Sequence, residues 1–530
     1  MELFLDLFKQ SLYSIMKICL VKPPILHKGI SFARMATAPL GLAYIAGALK
    51  AKGHSIQAID ASAQGVDDKE VFKDSVYLFG LNKEKVSRLI DPGTEIICLG
   101  FMFTNNWLYD RELVAYLKEQ HPTKILIAGG EHANAAPEFC LKQSPLDFVV
   151  LGEGEETITL LVAALENGTE WKGLDGIAYK NKADGSVVIN KRRKRITEIK
   201  DLPWPAWEYF PLESYFENKM TFGVHRGKTL PVNATRGCPY ECTFCSSPQM
   251  WGRKYEMRPP EDFVNELEYL HQKYGVENFD LYDLTAIIKK DWIVAMCQEI
   301  VRRNLKIAYQ LPSGTRSEAI DFEVAEWLYK SGCKNISYAP ESGSEAVLKL
   351  IKKKVVIKHM LDSIRHSNKV GLNVKLNMIM GFPDDTHKDI WLTFWFLIKC
   401  SWYGANDAAP AIFSPYPGSA LFDRLAREGK VDIYNDQYLF EGIDSYDLFP
   451  ATVYANHISG TAIRLYIFVF LFLFYGSNYL FRPQRLFKTI YNIARHKHES
   501  RIEQLVYNNF LKHLVVLPNA LRLRWKKSFG

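Results

Sequence analysis

Short apolar runs alternate with helical stretches over most of this chain, and they do so in two separate rounds. In the first, residues 17–180, KICLVK is an apolar run closed by Pro23 and Pro24 and reads as a strand. PLGLAYIAGALKAKGH carries apolar residues at helical spacing, with Gly53 as its stop. SIQAIDAS, EIICLGFMF, KILIAGG and DFVVLGEG follow as further short apolar runs bounded by turn residues. Near-continuous apolar strands separated by helices predict a doubly wound parallel sheet covered on both faces. Such a sheet binds ligands at the carboxyl ends of its strands. The loops there are Thr104-Asn105-Asn106, Gly129-Gly130-Glu131-His132 and Gly152-Glu153-Gly154-Glu155. Residues 181–230 turn polar, then rich in proline and aromatics, and read as an interdomain linker lying on a surface. The second round, residues 231–420, gives TLPVNAT, ENFDLYD, KIAYQLPSG, NISYAPESG, NVKLNMIMGFP and DAAPAIFSPYPG. Six strand–helix units predict a partial (β/α)6 barrel rather than an open sheet, and residues 421–530 are expected to be mostly helical. The fold class is α/β.

Composition changes this picture little. With 48% apolar and 24% charged residues in 530, the chain is a folded protein long enough for two or three domains. Of its 9 cysteines, Cys19, Cys98, Cys140, Cys297, Cys333 and Cys400 sit in apolar or helical settings and are expected as small buried hydrophobes. Nothing resembles a disulfide framework, so an oxidising compartment is not expected. MELFLDLFKQSLYSIM lacks a basic n-region and a small-residue cleavage site and is a poor signal peptide. Residues 1–15 are either an added amphipathic helix or a stretch ahead of a true start at Met16.

The remaining cysteines carry the chemistry. Arg236-Gly237-Cys238-Pro239-Tyr240-Glu241-Cys242-Thr243-Phe244-Cys245 spells C-x3-C-x2-C in a loop just after a strand. Three closely spaced thiolates can wrap one cuboidal [4Fe-4S] cluster and leave one iron without a protein ligand. The amino and carboxylate groups of S-adenosylmethionine can chelate that iron. Zinc would want a fourth ligand and usually pairs C-x2-C units, and no fourth Cys or His is nearby.

By this spacing, and by Phe244 just before the last cysteine, the chain resembles the radical S-adenosylmethionine superfamily. The resemblance implies that Phe244 lies near the adenine. NISYAPESGSEAVLKLIKK is similar to a family segment that would place Glu341 and Ser342 near the nucleoside or methionine moiety, although Ala339-Pro340 replaces the more usual Gly-Ile or Gly-Val. LPSGTRSEAI implies Ser313 and Arg316 at the next site, the arginine pairing with the cofactor carboxylate. Asp283 stands where the family often has an acidic pair, and Gly381, Pro383 and Pro417 shape the last loops. Residues 17–165 resemble the cobalamin-binding domain found ahead of many such enzymes, through APLGLAYIAGALKAKGH, IAGGEHANAAPEF and VVLGEGEETI. That implies a corrin on the carboxyl edge, near Thr104, Asn105, Gly130, Glu131, His132, Gly152 and Gly154. An Asp-x-His-x-x-Gly motif is absent, so His132 is expected as a polar contact and not as a cobalt ligand.

Together these resemblances imply a radical enzyme that abstracts hydrogen from an unactivated carbon and methylates it from cobalamin, a second S-adenosylmethionine restoring the methyl group. A radical oxidoreductase or cyclase of the anaerobic Mg-protoporphyrin ester cyclase type is the alternative. A non-catalytic cobalamin or redox sensor is less favoured. The expected partners are a small-molecule substrate and a one-electron donor of flavodoxin or ferredoxin type, with no nucleic acid.

Charge and hydropathy add a location. The net charge is +7, and the excess gathers in the tail as Arg482, Arg485, Lys488, Arg495, Lys497, Arg501, Lys512, Arg522, Arg524, Lys526 and Lys527, against Glu499 and Glu503. Ahead of it, LYIFVFLFLFY at 465–475 is an apolar run. The uncharged stretch 465–481 is at the short end of what spans a bilayer, for which about 20 residues are needed. Spanning would also put the basic tail on the far side from the cluster domain, against the positive-inside tendency. A shallow helix followed by basic amphipathic helices such as LFKTIYNIARHK fits both facts. The expectation is a cytoplasmic enzyme, peripheral on the inner face of a membrane, acting on an apolar or lipid-like substrate. The competing reading is a buried helix of the third domain.

Overall fold

The computed structural model describes residues 15–28, 36–443 and 452–495, with 499, 500, 503 and 506. The N-terminal helix expected before Met16 falls almost wholly outside the described residues, as do Lys497, Arg501, Lys512, Arg522, Arg524, Lys526 and Lys527 of the basic tail.

The first alternation folds as its pattern predicts. Strands β1 (Lys17–Lys22), β2 (Ser55–Asp60), β3 (Ile96–Gly100), β4 (Ile125–Gly129) and β5 (Phe148–Val150) form a parallel sheet in the order β2-β1-β3-β4-β5. Two antiparallel strands, β6 (Ile177–Lys180) and β7 (Val187–Ile189), extend it beyond β5. The order reverses between β1 and β3, which is where a doubly wound sheet opens a crevice. Helices α1 (Leu40–Ala51), α2 (Trp107–Gln120) and α3 (Gly154–Glu166) are among those covering its faces. A small antiparallel sheet of Ile25–Lys28, Lys69–Lys73 and Val76–Phe79 was not legible in the sequence, because KEVFK has too few apolar residues to read as a strand.

The second alternation gives six parallel strands in sequential order: β8 (Thr229–Val232), β9 (Asn278–Leu281), β10 (Ala308–Thr315), β11 (Cys333–Glu341), β12 (Asn373–Met380) and β13 (Asp407–Ile412). In β12, buried and partly exposed residues alternate strictly, with Val374, Leu376, Met378 and Met380 buried. The helices include α4 (Glu345–Leu350) and α5 (His387–Tyr403). Thr386 and Asp389 close a capping box at the start of α5.

One expectation needs correction. Residues 181–230 do not lie wholly on a surface, since part of the segment is buried. Trp207 and Tyr215 are fully buried, with Ala206, Phe210, Leu212 and Phe216 around them. Tyr215 donates a 2.5 Å hydrogen bond to Asp60 at the end of β2 and accepts one of 2.6 Å from Lys22 at the end of β1. Gly47 of α1 is a glycine because a Cβ there would collide with the Trp204 carbonyl. Prolines and aromatics mark irregular backbone, but they do not say whether it is buried; here they fill the seam between the two sheets.

Helix α6 (Asp436–Ile443) returns to the first sheet, where Leu439 and Ile443 join its core and Asp436 pairs with Arg111 at 2.6 Å. Helix α7 (Gly460–Phe481) starts at a Ser459 cap and packs on α5 and β13. It buries Ile463, Ile467, Phe470, Phe474 and Asn478, a single stripe at helical spacing. Helix α8 (Pro483–Ala494) follows a break at Arg482. Among the described residues, α7 alone is long and apolar enough to cross a membrane. One stripe of the run therefore belongs to the barrel, while Leu465, Phe468 and Phe472 are exposed and its other side chains partly buried.

Candidate active site

The chain leaving β8 pairs Thr235–Arg236 briefly with Glu256–Met257 and then enters the cysteine loop. Gly237, at φ +88°, has to be glycine, since a Cβ would collide with the Lys254 carbonyl. The root of the loop is held from both sides. Asp283, buried, accepts from the Thr235 amide, from the Thr235 hydroxyl at 2.5 Å and from the Ala234 amide at 3.3 Å. Burial pushes its carboxyl up to about 6 against the pull of these donors. On the other side Arg236 reaches into the first domain. It donates to Glu155 at 2.6 Å and Glu153 at 3.3 Å and stacks 4.7 Å over Tyr44. Glu153 also takes Arg195 at 2.7 Å.

Cys238, Cys242 and Cys245 are half-buried free thiols, and the other six cysteines are buried, as expected. Burial raises the Cys238 thiol and pushes Cys242 up to about 11. At Cys242 the neighbouring Lys353 opposes the rise, while Cys245, Glu341 and Cys238 add to it; at Cys238 both Lys353 and Arg316 oppose it. Lys353 and Arg316 thus oppose the rise caused by burial at this corner without cancelling it. Among the described residues no three His, Cys, Asp or Glu side chains are placed for a single metal ion. An all-thiol donor set on one loop suits an iron–sulfur cluster.

Lys353 is the residue the sequence did not single out. It reads as one of three lysines on a solvated loop. In the fold it is partly buried, 2.8 Å from the Glu341 carboxylate and 5.8 Å over the Phe244 ring. Glu341 ends β11 with φ +67°, a left-handed conformation that costs a non-glycine residue strain and gathers at functional sites. The cysteine loop is stitched to this corner: the Thr243 amide donates to the Ile351 carbonyl at 3.0 Å, and the Leu421 amide to the Thr243 carbonyl at 2.8 Å. Arg316 lies 4.2 Å over Tyr240 of the loop and pairs with Glu318 at 2.9 Å, while its Nε is buried with no partner. Phe244, Arg316 and Glu341 therefore gather round the thiols. Ser342 instead shapes the turn before α4, accepting from the Ser344 amide at 3.1 Å and bonding Thr393 at 3.2 Å. Ser313 is exposed on β10, and Asp283 braces the root of the loop.

At the carboxyl edge of the first sheet, Thr104, Asn105 and His132 are buried. Burial drives His132 down to about 3, so it is neutral, and its Nδ1 bonds Thr104 at 3.1 Å. Four buried polar atoms there have no protein partner: Asn105 Oδ1, Trp107 Nε1, His132 Nε2 and Asn134 Nδ2. A Cβ on Gly129 or Gly152 would meet nothing, whereas one on Gly130 would strike the Phe101 backbone and one on Gly154 would touch Ile45. Met102 and Phe103, 58% and 42% exposed, lie in the loop after β3. Open backbone, unmet polar atoms and exposed apolar side chains suit a large ligand with an amide-rich rim such as cobalamin. The two edges touch directly: Ser246, next to Cys245, donates to Glu131 at 2.6 Å.

Beside the loop, a groove of about 230 Å³ is lined by Thr243, Ile351, Phe382, Pro383 and Asp385 among others. Asp385 accepts from the Gly381 and Phe382 amides, and its Oδ1 is buried without a partner. Burial pushes this carboxyl up to about 7 against those two donors, with Asp389 and Asp384 adding to the rise. An unfolded aspartate titrates near 3.9. Between about pH 4 and pH 7 the folded chain then holds the extra proton, so stability falls as pH rises. Asp385→Asn keeps an acceptor for both amides and removes the charge. It is expected to stabilise the protein at pH 8 by about 2–4 kcal/mol, with little gain at pH 4, when thermal midpoints are compared.

Comparison with known proteins agrees with this geometry. The description "Radical SAM superfamily" matches residues 232–397 and "B12 binding domain" matches residues 33–162. An uncharacterized methyltransferase of Pyrococcus horikoshii is 29% identical over 411 residues, 77% of this chain and 83% of that one. The cytidylyl-2-hydroxyethylphosphonate methyltransferase of Streptomyces wedmorensis is 28% identical over 433 residues, 75% and 79% of the two chains. The radical S-adenosylmethionine methyltransferase TsrM of Kitasatospora setae, solved with cobalamin and a [4Fe-4S] cluster, shares the fold at TM-score 0.61 and 15% identity, over 78% of this chain and 75% of that one. The cofactors are a [4Fe-4S] cluster, S-adenosylmethionine and cobalamin. With both matches present in this order, the chain sets a B12-binding domain ahead of a radical S-adenosylmethionine domain.

Proposed function

We propose that this cobalamin-dependent radical methyltransferase places a methyl group on an unactivated carbon of an apolar or lipid-like small molecule. The observation that carries the reading is the contact of Glu131 with Ser246, which brings the corrin-binding edge of the first sheet against the cysteine loop. In this reading Cys238, Cys242 and Cys245 hold the cluster, Phe244 packs on the adenine, and Arg316, with its unpartnered Nε, receives the carboxylate of S-adenosylmethionine. Glu341 and Lys353 set a fixed dipole beside them, and Ser313, Ser342 and Asp283 line or brace the strand ends. Thr104, Asn105, Gly130, Glu131, His132, Gly152 and Gly154 form the cobalamin edge. Bound there, the cofactors supply a one-electron route to a carbon radical and a transferable methyl group. The protein's share is to orient the carbon between the two edges and to keep out water and oxygen. Exposed Lys349, Lys352 and Lys354 lie on the segment behind the loop, a charge suited to an acidic donor of flavodoxin or ferredoxin type. The outward apolar side of α7 supports a cytoplasmic enzyme held at the inner face of a membrane.

The test is anaerobic reconstitution with iron, sulfide, hydroxocobalamin and a reductant, followed by product analysis. The reading expects bound corrin, 5′-deoxyadenosine and S-adenosylhomocysteine together, and a product heavier by one methylene. A product changed by oxidation or ring closure, without S-adenosylhomocysteine, would move the enzyme to the cyclase type. Protein that retains no corrin and keeps an unchanged thermal midpoint with hydroxocobalamin would rule out both.

A further inference from the structure

The exposed apolar surface does not end with α7. Helix α5, part of the barrel itself, turns Trp391, Leu392, Trp395 and Trp402 outward, Trp395 being 60% exposed. Beside it α7 exposes Leu465, Phe468, Phe472 and Leu480, with Phe472 at 76%, and α8 exposes Phe487, Ile490 and Tyr491, with Phe487 at 71%. Contacts along the length of α5 and α7 make these one surface. Tyr466 bonds His387 at 2.7 Å and packs on Trp391 and Phe394 near one end, and Phe481 meets Trp402 edge-on at 5.0 Å near the other. A contiguous apolar patch of this kind marks an interaction site.

Charge says what covers it. Residues 460–494 contain no aspartate or glutamate, and exposed Arg464, Lys388 and Lys399 flank the patch. Outward tryptophans beside cations match the interfacial zone of an anionic bilayer. The inner face of α7 fixes its attitude. Ile463, Ile467, Phe470 and Phe474 are buried on the barrel, Tyr475 donates to Asp407 and Asn478 to the Ala405 carbonyl, each at 2.5 Å. A helix crossing the membrane would surrender all of these contacts. We infer that α5, α7 and α8 form one platform that sinks into a single leaflet of an anionic membrane, with α7 lying in the membrane plane. This rests on the membrane location proposed above and extends it to the catalytic barrel, whose own helix α5 becomes part of the anchor.

The experiment uses the reconstituted full chain and vesicles of equimolar phosphatidylcholine and phosphatidylglycerol. Wild-type protein is expected to sediment with the vesicles. The triple variant Trp391→Ser, Trp395→Ser, Trp402→Ser, with unchanged iron content and thermal midpoint, is expected to partition about tenfold more weakly or worse. Should the triple variant lose its fold, Trp395→Ser alone, at a position more exposed than Trp391, is expected to weaken partitioning measurably. To read the attitude of α7, a fluorophore on Leu465→Cys or Leu480→Cys is exposed to a membrane-impermeant quencher outside the vesicles. Both ends are expected to be quenched. Quenching at one end only would mean a spanning helix and would overturn the inference. Equal partitioning of wild type and tryptophan variants would remove α5 from the anchor while leaving the membrane location intact. Wild-type protein that ignores the vesicles would reject the location itself. A dimer that the triple variant turns into monomer, with no vesicle binding, would make the patch a protein interface.

Discussion

Alanine at any one of Cys238, Cys242 or Cys245 is expected to remove the cluster and abolish all S-adenosylmethionine cleavage. The three thiols are the only half-exposed cysteines, and the other six are buried in cores. No spare cysteine is therefore at hand to replace a lost ligand, and three ligands leave no redundancy. The expected readings are loss of bound iron and sulfide, loss of the charge-transfer absorbance, and 5′-deoxyadenosine at the background of protein-free reductant. Cys297→Ala serves as the control, because its thiol packs against Tyr309 at 3.5 Å, away from the loop. It is expected to keep iron and cleavage intact. Full cleavage activity in any of the three loop variants would sink the assignment of that cysteine.

What the sequence made legible divides along a physical line. The parallel strands of both sheets were visible because their apolar runs are local, and the cysteine loop was visible because its ligands are a few residues apart. Phe244, Arg316 and Glu341, which the resemblance marked, gather around the thiols. What stayed hidden is set by burial and long-range pairing. Lys353 carries no mark that separates it from Lys352 and Lys354, yet it alone turns inward to Glu341. Tyr215 reads as linker until Lys22 and Asp60, more than a hundred residues earlier, are found against it. Asp283 and Ser342, which the resemblance also marked, accept hydrogen bonds from the backbone of the loop root and of the turn before α4.

The same reasoning gives the second large effect. Arg236→Met is expected to destabilise the protein by about 3–5 kcal/mol, the cost of leaving a buried charge without its partner. Arg236, Glu153 and Glu155 are all at least nine-tenths buried, and Glu153 and Glu155 lie at the start of α3 in the other domain. Methionine fills much of the arginine's volume and restores none of its five donors. Glu153 keeps Arg195 at 2.7 Å, so the larger deficit falls on Glu155. A second change, Glu155→Gln, removes that uncompensated charge and is expected to recover part of the loss, so the two substitutions should be less than additive. Because Arg236 leads directly into Gly237 and Cys238, the single variant is also expected to form 5′-deoxyadenosine without matching methylation, the two cofactor edges no longer being held in register. Chemical denaturation reads the first effect, and the ratio of 5′-deoxyadenosine to methylated product reads the second. A variant as stable as the wild type, with that ratio unchanged, would show that the seam between the domains is held by its aromatic filling alone.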